Sequence, residues 1–191
     1  MSNEGFNFSK FIADSKNSLM NPKDYFASMP ITGGFVEPII KAVLYGLVAG
    51  IFTLVWGLLN IGTIDAGMLG GMLGTSVGIM GFIWSIIGAL IGLFIGGVIM
   101  LIISAICGGS TDYEANLRVV ASLMVISPIK ALFGFLGFMS FIGTIVGLVI
   151  SLYSIWMLYH ALNESLKAKI ATSKVISIVL AVLLALFTLI G

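Results

Sequence analysis

The chain has 191 residues, of which 59% are hydrophobic and 9% charged, with a net charge of +1. A charge at the centre of a bilayer costs at least about 2.5–3.5 kcal/mol on insertion scales, and no charged residue occurs between Ala66 and Thr111. This composition predicts an integral membrane protein. It excludes a separate soluble domain and a nucleic-acid partner, and the single cysteine excludes an internal disulfide, a multi-cysteine zinc site and an iron–sulfur cluster.

Residues 1–36 predict a cytoplasmic segment of amphipathic helices that lie along the membrane surface. In the first helix the apolar residues recur on one face; they are Phe8, Phe11, Ile12 and Leu19. Asn21 offers an N-cap and Pro22 a first-turn residue for a second short helix that ends at Met29.

Residues 37–191 predict one membrane domain, an all-α bundle of five transmembrane helices. The spans are expected at residues 38–59, 80–106, 117–133, 138–162 and 172–190. The stretch from Gly67 to Ile106 is long enough for one span or two. One span places eight of the nine basic residues on the side of the N-terminus, which the positive-inside rule makes cytoplasmic. Five spans follow, and residues 67–79 become either a re-entrant piece or an extension of the second helix.

Two features of these spans predict local packing. Glycine recurs every fourth residue, a spacing that lets two helices approach closely, within one chain or between copies. The two series are Gly70, Gly74 and Gly78, and Gly88, Gly92 and Gly96, and we expect the tightest packing along the second. Pro128 predicts a kink in the third span.

The densest polar cluster is the predicted cytoplasmic loop from Cys107 to Arg118. Ser110 or Thr111 suits the N-cap of the third span, and Glu114 suits its first turn. Capping alone explains this composition, and so does capping combined with a surface that binds a partner. The candidates for binding a partner or lipid are Gly108, Gly109, Asp112, Glu114 and Arg118 in this loop, and His160, Asn163 and Glu164 after the fourth span.

Lys130 is the only charged residue between Val119 and Tyr159. Its long stem can carry the ammonium group to the outer surface. Its charge can also serve as a counter-ion for Asp65 or for an anionic ligand, which makes it a further binding candidate.

An enzyme is the least favoured class. Gly74–Gly78 matches the G-x-S-x-G nucleophile pattern and His160 lies downstream, but that motif requires a strand–turn–helix context. The glycine spacing favours helix packing instead. No second histidine or nearby acid completes a metal site around His160. No catalytic residue, cofactor or metal is predicted.

Three short motifs resemble the YIP family of Ypt/Rab-interacting membrane proteins, in particular its bacterial-type members. They are Asn21-Pro22-Lys23-Asp24-Tyr25-Phe26 before the first span, Gly108-Gly109 leading into Arg118–Ser122 with Pro128, and Trp156, Tyr159 and His160 followed by Lys167-Ala168-Lys169. The resemblance runs from about Asn21 to the end of the sequence. It implies five spans, a cytoplasmic N-terminus and a membrane location without an agreed activity. Eukaryotic members usually carry a long tail with an Asp-Leu-Tyr-Gly-Pro element that this sequence lacks, so binding of a Rab-type GTPase is not carried over.

The sequence therefore predicts a non-enzymatic membrane protein that organises protein partners or lipid at the cytoplasmic face, in the inner membrane if the protein is bacterial. Membrane lipids, other membrane proteins and further copies of the chain are the expected partners. The alternative is a small transporter or channel, based on Lys130, Asp65 and a discontinuous helix in the glycine-rich stretch before Met80.

Overall fold

The computed structural model describes residues 7–59, 61 and 67–190, and these are helical apart from short connections. The helices are α1 (Phe8–Met20), α2 (Pro22–Ser28), α3 (Val36–Leu58), α4 (Gly67–Ile106), α5 (Tyr113–Leu123), α6 (Ile126–Leu132), α7 (Ser140–His160) and α8 (Ile170–Ile190). A 3-10 helix, Phe133–Phe138, follows α6, and a π-helical turn, Ala161–Ser165, follows α7. Among the described residues, five segments are long and apolar enough to cross a membrane, with α5 and α6 together forming one. The predicted all-α bundle with five spans is confirmed.

The glycine-rich stretch before Met80 is part of one continuous helix. α4 has 40 residues and a length of about 60 Å, about twice the hydrocarbon thickness of a bilayer. Residues 67–79 thus extend the second span. Gly74–Gly78 lies inside this helix, so the strand–turn–helix context of a nucleophile motif is not present there.

The third span is broken at Met124 and Val125, between α5 and α6. Pro128 causes this break, because it has no N–H to donate to the Met124 carbonyl and its ring crowds that oxygen. The carbonyl accepts a 2.9 Å hydrogen bond from the Ser127 N–H instead. The kink expected from Pro128 is therefore present, three to four residues before the proline.

α3 and α4 approach closely through small residues. A Cβ atom on Gly50 would lie 2.3 Å from Ser85 Oγ, and one on Gly46 would lie 2.8 Å from the Ser85 carbonyl oxygen. Ser85 Oγ also donates a 2.9 Å hydrogen bond to the Gly46 carbonyl. The tight interface thus uses glycines of α3 against a serine of α4.

The glycines expected to carry the tightest packing do so only in part. No described atom lies within 4 Å of a Cβ built on Gly88 or Gly92, so that expectation is wrong within the described part of one chain. α4 turns Ser85 and Leu93 towards its neighbours, which leaves these two glycines on its exposed side. Two of the predicted glycines do lie in tight contacts. A Cβ built on Gly78 would lie 3.1 Å from the Cα of Gly57, and one built on Gly96 would lie 3.0 Å from Cγ1 of Val120. For Gly70 and Gly74 the structure describes only the helical backbone of α4 and not the surroundings of these residues.

α1 and α2 pack against one end of the bundle. The ring of Phe11 lies 5.1 Å from that of Tyr45 on α3, and Phe26 is fully buried. The predicted helices are therefore present, although Phe8 and Ile12 of the apolar face remain exposed. We call this end, where α3, α5 and α8 begin and α4 and α7 end, the polar end. We call the opposite end, which carries the 3-10 helix, the hairpin end.

Candidate functional site

A buried arginine organises the polar end. Arg118 is only 5% exposed, and its Nη1 lies 3.0 Å from Glu37 Oε2 on α3. Its Nε lies 3.3 Å from Glu114 Oε1, one turn back on α5. The guanidinium also donates to the carbonyls of Gly34 at 3.1 Å and Pro30 at 3.4 Å. One side chain thus joins α5, the start of α3 and the connection that precedes α3.

A buried lysine extends this network to the N-terminal helix. Lys41 Nζ lies 2.9 Å from Glu37 Oε1 and 3.8 Å from Asp14 Oδ2 on α1. Lys41 is 6% exposed, and buried charges are tolerated when they are paired and hydrogen-bonded. Two cations and three carboxylates, those of Asp14, Glu37 and Glu114, therefore hold α1, α3 and α5 together.

This network changes the roles expected for Glu114 and Arg118. Both were expected on a partner-binding surface. Arg118 instead pairs with Glu37, Glu114 and the main chain, and the half-buried Glu114 pairs with Arg118. Arg118 itself is buried, because its planar group reaches the main-chain carbonyls of Pro30 and Gly34. Sequence reasoning missed Lys41 and Glu37 as partners of this site. Their i, i+4 spacing, repeated by Glu114 and Arg118, was the available signal.

The cap of α5 is one residue later than expected. Asp112 Oδ1 accepts a 3.0 Å hydrogen bond from the Ala115 N–H and forms the N-cap. Ser110 Oγ accepts from the Asp112 N–H at 3.2 Å. The predicted N-cap at Ser110 or Thr111 is therefore wrong, while Glu114 lies in the first turn as expected. Asn21 does precede α2, but its side chain makes no capping hydrogen bond.

The loop after α4 pairs with the loop before α8. The Ser110 N–H donates to the Leu166 carbonyl at 2.8 Å, and the Lys169 N–H donates to the Cys107 carbonyl at 2.9 Å. A Cβ on Gly109 would lie 2.8 Å from the Leu166 carbonyl oxygen. Gly108 and Gly109 thus serve a close approach of two backbones, with Gly108 at a φ of +69°. This pairing buries Cys107 completely, and burial raises the pKa of its thiol.

Two hydroxyl groups anchor α2 on the membrane helices. Tyr25 Oη and Ser122 Oγ of α5 lie 2.9 Å apart in a buried hydrogen bond. Ser165 Oγ donates to the Phe26 carbonyl at 2.6 Å. Burial is the main cause that raises the pKa of Tyr25, so its phenol is neutral at physiological pH.

The candidates after the fourth span make packing contacts. His160 is half-buried and edge-on to Trp156, with ring centroids 4.9 Å apart. Asn163 Oδ1 accepts a hydrogen bond from Ser173 of α8, and Glu164 is half-buried. Within the described residues, no group of three or more histidine, cysteine or acidic side chains could hold a metal ion.

The exposed part of the polar end is rich in lysine. Six lysines are exposed there, and none lies within 4 Å of a described carboxylate: Lys10, Lys16, Lys23, Lys167, Lys169 and Lys174. The exposed carboxylates of this end are Asp24 and Asp112. Asp14, Glu37 and Glu114 are half-buried and paired in the network, and Glu164 is half-buried. The polar end therefore presents a surface with excess positive charge, which we call the lysine surface.

Lys130 lies apart from this site, on α6 near the hairpin end, and is exposed. The suggested counter-ion Asp65 lies outside the described residues. Nearby, Trp56 Nε1 donates a 2.9 Å hydrogen bond to the Ala131 carbonyl. That bond satisfies a carbonyl at the end of α6, where lipid offers no hydrogen-bond donor.

These observations define an integral membrane protein of five spans with an ion-paired end covered by its N-terminal helices. The chain matches the family model of the Yip1 domain over residues 16–191 and belongs to that family. The resemblance to YIP proteins is thereby confirmed. The family is a non-catalytic membrane family, associated in general with membrane trafficking and Rab interactions. No curated protein and no solved structure matches the chain significantly.

Proposed function

We propose that the protein organises protein partners or lipid at the cytoplasmic face of its membrane, without catalysing a reaction. The lysine surface is the working surface in this proposal. The observation that carries it is the difference in pairing at the polar end: the acids of the network are half-buried and paired with Arg118 and Lys41, whereas six exposed lysines have no carboxylate within 4 Å among the described residues.

This difference suits acidic ligands. An anionic leaflet attracts a basic residue near its surface by about 1 kcal/mol, and an acidic protein segment has the same complementarity. The positive-inside rule supports a cytoplasmic position for this surface. In a bacterium this would be the cytoplasmic side of the inner membrane.

The surface is also held in shape before a ligand arrives. The ion pair of Lys41 with Asp14 holds α1 on α3, and the hydrogen bonds of Tyr25 and Ser165 hold α2. A surface that is already ordered loses less conformational entropy on binding. The non-catalytic character of the family agrees with a role in recruitment.

The alternative of a transporter or channel has weaker support. It drew on a discontinuous helix in the glycine-rich stretch, and α4 is continuous through that stretch. A broken helix is what gives such proteins a substrate site near the middle of the membrane.

The experiment replaces three exposed lysines of the surface, Lys16, Lys23 and Lys174, by glutamine. The protein is purified from native membranes in nanodiscs, and its associated proteins and lipids are identified by cross-linking and mass spectrometry. We expect the triple variant to lose acidic partners or anionic lipid that the parent protein retains. The control replaces the same three lysines by arginine, which keeps their charge. Unchanged partners and lipids in the triple variant would contradict the proposal.

A further inference from the structure

A groove opens at the hairpin end, away from the lysine surface. α7 forms its floor, α6 and the 3-10 helix form one wall, and the end of α8 forms the other. It has a volume of about 420 Å³, within the range of ligand sites. Lys130, Thr144 and Thr188 line it beside apolar residues such as Leu148 and Ile150.

The depth of the groove matches one leaflet of a bilayer. Its floor runs along α7 from Gly143 to Ser151, a distance of about 12 Å at 1.5 Å per residue. The hydrocarbon core is about 30 Å thick, so the groove reaches from the hairpin end almost to the middle. Gly147 has nothing within 4 Å of its Cβ position, which leaves an open, shallow floor.

The cation of the groove has no acidic partner among the described residues. Lys130 is exposed and forms none of the ion pairs found there. The described carboxylates all lie at the polar end: Asp14, Asp24, Glu37, Asp112, Glu114 and Glu164. An ammonium group near hydrocarbon is costly unless an anion or water meets it. The charge therefore favours an anionic occupant over a neutral one.

We propose that this groove binds an anionic phospholipid, with the phosphate on Lys130 and one acyl chain over Gly143 and Gly147. The two ends of such a lipid match the two parts of the groove, a cation at the mouth and apolar walls below it. The exposed side chains beside it, Phe141 at 77% and Phe187 at 76%, place the opening on the lipid-facing side of α7 and α8. This site is separate from the lysine surface.

Trp56 provides a reporter at the groove. It lies 3.8 Å from the Cβ position of Gly134, which lines the groove. The chain has three tryptophans, so replacing Trp84 and Trp156 by phenylalanine leaves Trp56 as the only one. Quenching of its fluorescence by a brominated lipid measures binding at the hairpin end alone.

The experiment reconstitutes the full chain in phosphatidylcholine vesicles and adds brominated phosphatidylglycerol or brominated phosphatidylcholine with the same acyl chains. We expect phosphatidylglycerol to bind about fivefold better, the effect of one basic residue near an anionic lipid. Lys130→Gln should abolish this preference and Lys130→Arg should keep it. Gly147→Phe, which fills the groove, should reduce quenching by both lipids. Ser9→Ala, at an exposed position of the polar end outside both surfaces, should change nothing.

Equal binding of the two lipids to the parent protein would overturn the proposal, and so would a preference that survives Lys130→Gln. A preference that appears only in Asp65→Asn would also overturn it, because Lys130 would then be paired within the chain. If Gly147→Phe instead changes the oligomeric state and leaves quenching intact, a second copy covers the groove and the lipid proposal fails. None of these outcomes involves the lysine surface, so failure here and failure of the proposed function are distinguishable.

Discussion

Arg118 Nη1 and Glu37 Oε2 lie 3.0 Å apart although 81 positions separate the two residues in sequence. Their ion pair joins the first and third membrane-spanning segments at the polar end. Because Glu37 also pairs with Lys41, which lies near Asp14, the same contact fixes the N-terminal helix on the bundle.

Removing this arginine should destabilise the protein strongly. Arg118→Ala leaves Glu114 without a cation and Glu37 with Lys41 alone, and removing one partner of a buried pair costs about 3–5 kcal/mol. Thermal and denaturant unfolding of the detergent-solubilised protein measures this loss. Lys16→Ala, at an exposed position, should stay within about 0.5 kcal/mol of the parent. Equal effects of the two variants would show that the network contributes little.

The α3–α4 interface should distinguish two glycines with the same substitution. Gly50→Ala places a methyl group 2.3 Å from Ser85 Oγ and should cost about 1–3 kcal/mol by overpacking. Gly92→Ala meets open space and should be neutral or slightly stabilising, since alanine favours a helix. Unfolding free energies of both variants test this difference. A larger loss for Gly92→Ala would instead indicate packing between copies through that glycine.

Cys107 should report opening of the polar end. Its thiol is completely buried and its pKa is raised, so it holds little of the reactive thiolate at neutral pH. We expect slow labelling by maleimide in the folded protein and fast labelling after denaturation. Gly109→Val, which separates the two paired loops, should speed labelling, whereas Gly92→Val should not. Fast labelling of the parent protein would contradict the buried pairing.

Stability should fall in alkaline solution because of Tyr25. Its pKa is raised by burial, whereas an exposed phenol ionises near pH 10. Above that pH unfolding releases a proton that the folded state retains, so the free energy of unfolding decreases as pH rises. Comparing unfolding at pH 8 and pH 11 should show a smaller decrease for Tyr25→Phe than for the parent. An identical decrease would mean that Tyr25 does not titrate in this way.

The sequence predicts the spans well because hydropathy and the placement of charge are local properties. Pro128 likewise indicates the break at Met124, since the clash is with a residue four positions earlier. The glycine series shows what the sequence cannot predict. The spacing identifies which residues share a helix face, but which helix that face contacts depends on how α3 and α4 cross. Gly88 and Gly92 satisfy the pattern, yet no atom of the described residues lies within 4 Å of a Cβ built on either.

The site could be predicted only in outline. The three polar segments that sequence reasoning placed at one end do meet there, through the pairs of Ser165 with Phe26 and Ser110 with Leu166. Which charged residues pair with one another could not be predicted, because Glu37, a partner of Arg118, lies 81 positions away in the sequence. Its burial gives Arg118 a structural role, and the exposed lysines are the binding surface that we propose.

The most direct test of the account asks which side of the membrane the polar end faces. In a Cys107→Ala background, single cysteines at Ser9, Thr111 and Lys167 mark the polar end, and one at Met139 marks the hairpin end; all four positions are exposed. Membrane-impermeant maleimide is applied to right-side-out and inverted vesicles. We expect the first three to label only from the cytoplasmic side and Met139→Cys only from the opposite side. Labelling of the polar-end positions from outside, or on different sides from one another, would contradict it.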